Sequence, residues 1–205
     1  SQHVTLASAA SKTNALTFDP TSASAIGDLL EQVSLQLGGC DHVVHCLGLH
    51  EMDDSPDVLA LQTLRCESTL HLLHALDATA ATTSKTVPTR LWLVTAGGST
   101  FSAGGDAWQH QPAQAPMWGL GRVIMNEHPE RACVLLDLQA DSLDKEAAAW
   151  LTRELLTPDG ETEIVLTSAG RFVPRMQAAP APALPAPETS EYGYRLDFSV
   201  PGQLR

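Results

Sequence analysis

The sequence predicts an α/β fold: a mostly parallel sheet with helices on both faces. Three observations carry that expectation. From about Leu16 to Met176, short leucine- and valine-rich runs alternate with amphipathic stretches of helical period, giving four or five αβ units. The 205 residues suit one such domain plus a tail. No strand runs into a Gly-x-Gly-x-x-Gly turn, so the layer lacks the close backbone approach and the helix N-terminus that hold a pyrophosphate. The pattern points to scaffolding rather than chemistry.

Residues 4–6 read as a short strand, and residues 15–19 as a strand ending at Pro20. Thr21 or Ser22 can cap a helix, because a hydroxyl accepts from the unpaired first-turn amides. Ile26, Leu29, Leu30, Val33 and Leu37 then recur on one helical face, and Gly38-Gly39 stops it. Residues 42–47 are a short apolar run, read as a central strand. The longest helix spans Asp57 to about Asp77. Val58, Leu59, Leu61, Leu70, Leu72, Leu73 and Leu76 are expected on its apolar face, opposite Glu67, His71, His74 and Asp77.

Residues 90–95 (RLWLVT) are the clearest strand and lead into the Ala96-Gly97-Gly98-Ser99 loop. A helix is expected over residues 114–126, where Gly119 and Gly121 each cost about 1 kcal/mol of propensity. Close approach to a neighbour explains both. Residues 133–138 form another strand. Ser142 caps a helix carrying Leu143, Ala147, Leu151 and Leu155, and residues 163–167 and 171–174 are two short strands around Ser168-Ala169-Gly170. No internal repeat is present. Residues 178–187 alternate proline with alanine, the composition of a semi-rigid extended spacer. Beyond them Tyr194, Leu196, Phe198 and Val200 alternate with polar residues, as in the opening strand of a following domain. The abrupt start and end read as those of a piece of a longer chain.

Bulk chemistry narrows the function classes. A net charge of −12 with scattered acidic residues and no basic stripe argues against nucleic acid. No apolar run approaches a membrane span, and no signal-peptide core opens the chain. Cys40, Cys46, Cys66 and Cys133 lack paired spacing, which fits free thiols in a reducing, cytoplasmic compartment.

Each candidate site meets a simpler explanation. Thr95–Ser99 sits where a phosphate turn belongs, but its spacing is wrong for a dinucleotide fingerprint, so it reads as a plain loop. Lys12, Lys85 and Lys145 follow no phosphate-binding glycine loop. Tyr192 and Tyr194, the only tyrosines, lie in the tail, which excludes a reductase's paired tyrosine and lysine on one helix. No Gly-x-Ser-x-Gly elbow exists. His42, Cys46 and His50, or Glu67, His71 and His74, carry metal-ligand residue types but read as ordinary surface clusters. Trp118 and Arg122, four apart, can stack within a packed helix. The expected catalytic, cofactor-binding and metal residues are therefore none.

Residues 90–95 (RLWLVT), 114–129 (QAPMWGLGRVIMNEHP), 132–138 (ACVLLDL) and 163–176 (EIVLTSAGRFVPRM) together resemble the structural subdomain of ketoreductases in modular polyketide synthases. The resemblance covers roughly residues 40–176 and is weaker over residues 1–39. Residues 194–204 (YRLDFSVPGQL) resemble the first strand of an enoylreductase domain. The resemblance implies a truncated Rossmann-like fold, sometimes called a pseudo-ketoreductase, that binds no NADPH and packs against a catalytic half. It further implies a domain over residues 1–177, an Ala/Pro linker over 178–191 and the start of an enoylreductase over 192–205. The implied partners are the catalytic ketoreductase half, the enoylreductase, and a dehydratase or C-methyltransferase of the same synthase. NADPH and phosphopantetheine are implied elsewhere in the parent, which acts on carrier-bound β-ketoacyl intermediates. Two other readings remain: a nucleotide-binding enzyme with a divergent loop at Gly97-Gly98, and a protein-interaction module.

Overall fold

A computed structural model describes residues 18–49, 57–82, 89–100, 112–139 and 145–178. Its centre is a sheet of β1 (His42–His45), β2 (Arg90–Thr95), β3 (Val134–Gln139), β4 (Glu163–Thr167) and β5 (Gly170–Phe172), neighbours in that order. β1 to β4 run parallel, and β5 returns antiparallel against β4. The helices are α1 (Ala23–Leu37), α2 (Val58–Gln62), α3 (Ser68–Thr82), α4 (Ala115–Glu127) and α5 (Lys145–Leu156). The chain divides into compact units Ser1–Pro174 and Arg175–Arg205, and all these elements belong to the first. The predicted α/β architecture is observed.

Strand alternation assigns the two cores. Leu91 and Leu93 of β2 and Leu135 of β3 face Ile26 and Leu30 of α1, Leu72, Leu73 and Leu76 of α3, and Met117 and Ile124 of α4. Trp92 and Val94, with Leu136 and Ile164, face the opposite way and meet Trp150, Leu151 and Leu155 of α5. Helices therefore cover both faces, and β2 and β3 are apolar at successive positions because neither face meets water.

Local signals act largely as expected. Ser22 caps α1, its hydroxyl accepting from the Ala25 amide at 3.3 Å, and Gly38 closes the helix at φ 71°. The Ser168-Ala169 turn joins β4 to β5.

Among the described residues β1 pairs with β2, and Val43 and Val44 are half-buried. Four expectations need correction. Phe18 and Asp19 lie outside any strand, while residues 4–6 and 15–17 are outside the described residues. The long helix is not continuous α-helix, since Thr63–Glu67 forms a π-turn between α2 and α3. Ser68 Oγ donates to the Leu64 carbonyl, and Thr69 Oγ1 donates to the Arg65 carbonyl at 2.7 Å, which satisfies oxygens near the wide turn. That turn rotates α2 relative to α3, and Leu59 is left 75% exposed. Leu70 is also exposed, because 100° per residue puts it among Glu67, His71, His74 and Asp77 rather than beside Leu72, Leu73 and Leu76.

Last, only one helix glycine serves close packing. A Cβ on Gly121 would stand 2.4 Å from Leu135 Cδ2 and 3.2 Å from Leu93 Cδ1, whereas one on the exposed Gly119 meets nothing within 4 Å. Gly121→Ala should destabilise by about 1–3 kcal/mol through overpacking. Gly119→Ala should stabilise by about 0.4–1 kcal/mol through helix propensity and unfolded-chain entropy. Urea titrations of the two variants check this opposition in sign.

Ser142, Leu143, the spacer beyond residue 178 and the tail over 192–205 lie outside the described residues. Among the described residues, no helix is long and apolar enough to cross a membrane.

Candidate functional site

The C-terminal edge of a parallel sheet is where α/β folds bind ligands, and here the β2 loop lies at that edge. Its polar groups turn inward. Thr95 and Asp137 share a face with Leu93 and Leu135, and neither is exposed to solvent. Asp137 Oδ1 accepts from Thr95 Oγ1 at 2.6 Å, from the Gly97 amide at 2.8 Å and from the Gly98 amide at 2.9 Å. Oδ2 accepts from the Ser99 amide and from Gln139 Nε2, each at 3.3 Å. Gly97 takes φ 88°, a left-handed conformation that suits glycine. Three successive amides thus converge on one carboxylate, as they would on a phosphate oxygen.

The surroundings hold this loop from the other side. Trp118 of α4 donates from Nε1 to Thr95 Oγ1 at 2.9 Å, which leaves the Thr95 proton for Asp137. A Cβ on Gly98 would lie 2.9 Å from Trp118 Cδ1, so a glycine is needed where the indole covers the loop. The Ala96 amide donates to Gln114 Oε1 at 2.7 Å. The loop read as plain is a closed polar cluster. Sequence inspection misses Asp137 because it stands as one polar residue inside an apolar strand.

Among the described residues, neither metal-ligand set brings three ligand atoms together. His42 Nδ1 accepts from Trp92 Nε1 at 3.0 Å, Cys46 is exposed, and His50 lies outside the described residues. Glu67 and His71 approach to 3.9 Å, with His74 exposed. The three groups that do converge were not singled out from the sequence: His128 Nδ1 lies 3.6 Å from Asp77 Oδ2 and 3.3 Å from Glu130 Oε1. The buried Arg131 guanidinium already sits on Asp77 Oδ1, so a cation serves that carboxylate. Trp118 and Arg122 do stack, with Cζ 5.8 Å from the ring centroid, while Arg122 grips Glu163 through two 2.8 Å bonds. Lys12, Lys85, Tyr192 and Tyr194 lie outside the described residues, and Lys145 is exposed at the start of α5.

One buried pair stands out by the π-turn. With the Ser68 proton committed to the Leu64 carbonyl, the 2.8 Å contact between His45 Nε2 and Ser68 Oγ is a donation from the imidazole. Burial pushes His45 down from 6.5 to about 4. The unfolded chain therefore takes up the second imidazole proton more readily between those values. The associated stability is complete above pH 6.5 and is lost as pH falls towards about 4, by at most about 1.4 kcal/mol per pH unit. His45→Gln should flatten that slope in urea titrations at successive pH values. Burial likewise pushes the Cys133 thiol up to about 12, which makes it an inert core residue.

A family model described as the Rossmann fold domain of the polyketide synthase extender module SpnB matches residues 4–176. The chain belongs to this family. The match reaches well before residue 40, where the motif resemblance starts. Pikromycin polyketide synthase component PikAII of Streptomyces venezuelae is 33% identical over 178 residues, 87% of this chain and 4% of that protein. Polyketide synthase GfsA of Streptomyces halstedii is 41% identical over 96 residues, 45% of this chain and 1% of that protein.

Among solved structures, a C2-type ketoreductase from a modular polyketide synthase matches with a TM-score of 0.64 at 31% identity, over 83% of this chain and 36% of that one. A short-chain dehydrogenase/reductase from Serratia marcescens matches with a TM-score of 0.55 at 14% identity, over 80% of each chain, which shows a shared fold. The polyketide synthase Rossmann-domain chain thus spans a small part of its curated relatives and about a third of that ketoreductase.

Proposed function

We propose that this chain is a non-catalytic structural subdomain of a cytoplasmic polyketide synthase, supporting the catalytic ketoreductase half and neighbouring domains. The single observation that carries the reading is Asp137. The amides of the glycine-bearing turn after β2 are spent on a carboxylate of the chain itself, so this turn has no donors left for a pyrophosphate. The family membership and the sequence of α4, which holds neither tyrosine nor lysine, support it further.

On this reading residues 1–177 form the subdomain, residues 178–191 the Ala/Pro spacer and residues 192–205 the start of an enoylreductase. The ketoreductase half, the enoylreductase, and a dehydratase or C-methyltransferase of the same synthase are the partners. NADPH and phosphopantetheine serve those domains, and the parent reduces carrier-bound β-ketoacyl intermediates.

Calorimetric titration of the full chain with NADPH tests the reading, as does gel filtration with the parent's catalytic half. No heat at micromolar cofactor together with a stable complex is expected. Micromolar NADPH binding overturns the non-catalytic assignment, and failure to bind the catalytic half overturns the supporting role.

A further inference from the structure

The Asp137 side chain combines a tether with an anion, and the geometry separates the two. Among the described residues, the five groups donating to the carboxylate are neutral: the Thr95 hydroxyl, the Gly97, Gly98 and Ser99 amides, and the Gln139 carboxamide. Four of them belong to one loop, and that loop is fixed by contacts independent of Asp137. Gln114 holds the Ala96 amide, Trp118 holds the Thr95 hydroxyl, and Gly48 lies so close to β2 that a Cβ there would stand 2.4 Å from the Val94 carbonyl oxygen. Converging neutral donors on a braced loop, shielded from water, form an oxyanion receptor in general chemical terms.

We infer that the Thr95–Ser99 loop with Gln139 is a receptor for a small carboxylate, occupied in the native chain by Asp137, and that it accepts a free carboxylate when that side chain is shortened. This rests on the reading that the native carboxylate closes the loop to outside anions. Size follows from the covalent structure. Asp137→Ala removes a group the size of formate, and Asp137→Gly removes one the size of acetate. Inorganic phosphate, larger and more highly charged, fits neither space.

The experiment follows thermal unfolding of the full-length variants in sodium formate, sodium acetate, sodium phosphate or sodium chloride of equal ionic strength, at pH 7. Amide resonances of Gly97, Gly98 and Ser99 are recorded alongside. In Asp137→Ala, formate should raise the midpoint saturably above chloride and move the three resonances together, while acetate should do neither. Asp137→Gly should respond to acetate as well. The unaltered chain should respond to formate and chloride alike. Binding that favours the folded state raises stability in this concentration-dependent way.

If the variants are unfolded in chloride, refolding in formate or acetate supports the receptor, and unfolding in every salt overturns it. Equal responses to formate and chloride, or a larger response to phosphate, also overturn it. NADPH titration of the unaltered chain is a separate measurement, so failure here and failure of the structural-subdomain reading are distinguishable.

Discussion

Asp137→Ala is expected to lower the unfolding free energy by at least about 3 kcal/mol in chloride buffer, because several buried donors lose their acceptor together. An unsatisfied buried donor costs about 1–3 kcal/mol, and five donors meet this carboxylate. Relaxation and entering water reduce the sum, so the expected loss is well below five full penalties. Asp137→Asn sharpens the argument. Its one oxygen can still accept from Thr95, Gly97 and Gly98, but its amino group then faces the Ser99 and Gln139 donors. The loss should fall between wild type and alanine. Chemical denaturation followed by far-ultraviolet circular dichroism measures all three proteins. Equal stability of wild type and Asp137→Ala would show that the loop holds its shape without the carboxylate and that water satisfies its amides.

What the sequence made legible was local. RLWLVT is a strand as read, Ser22 caps its helix, and the turn at Ser168 reverses the chain, because each signal lies within a few residues of its effect. The alternation of apolar runs with amphipathic stretches was equally legible, and the motifs in residues 90–95, 114–129, 132–138 and 163–176 led to the family that the family model matches. The closed site was not legible. Asp137 meets its loop partners across 38 to 42 residues of sequence, and no periodicity encodes which distant amides a buried carboxylate will serve. The π-turn escaped for a related reason. Residues 57–77 are compatible with a straight helix, and the bonds that accompany the wide turn include those from Gln62 and Arg65 to the distant Ala113 carbonyl as well as those of Ser68 and Thr69 to the Leu64 and Arg65 carbonyls. Arg131 and His128 similarly meet Asp77 across a helix boundary that the spacing rules do not cross.

Trp92→Ala should be comparably severe, with a loss of about 3–5 kcal/mol, because an indole only 1% exposed would leave a void between β2 and α5. Trp92 has two attachments that can be separated. Its ring packs among Val94, Val134, Leu136 and Ile164, and its Nε1 donates to His42 on the solvent-facing end of β1. Trp92→Phe keeps most of the packing and removes the donor. His42 is exposed and can take a water instead, so that variant should lose only about 1–2 kcal/mol from the hydrogen bond and the reduced volume. A loss in Trp92→Phe as large as in Trp92→Ala would assign the stability to the His42 contact and not to the core. The distinction bears on function. If this chain works by supporting its neighbours, its yield of complex with the catalytic half should track the folded fraction: near normal for Trp92→Phe and strongly reduced for Trp92→Ala.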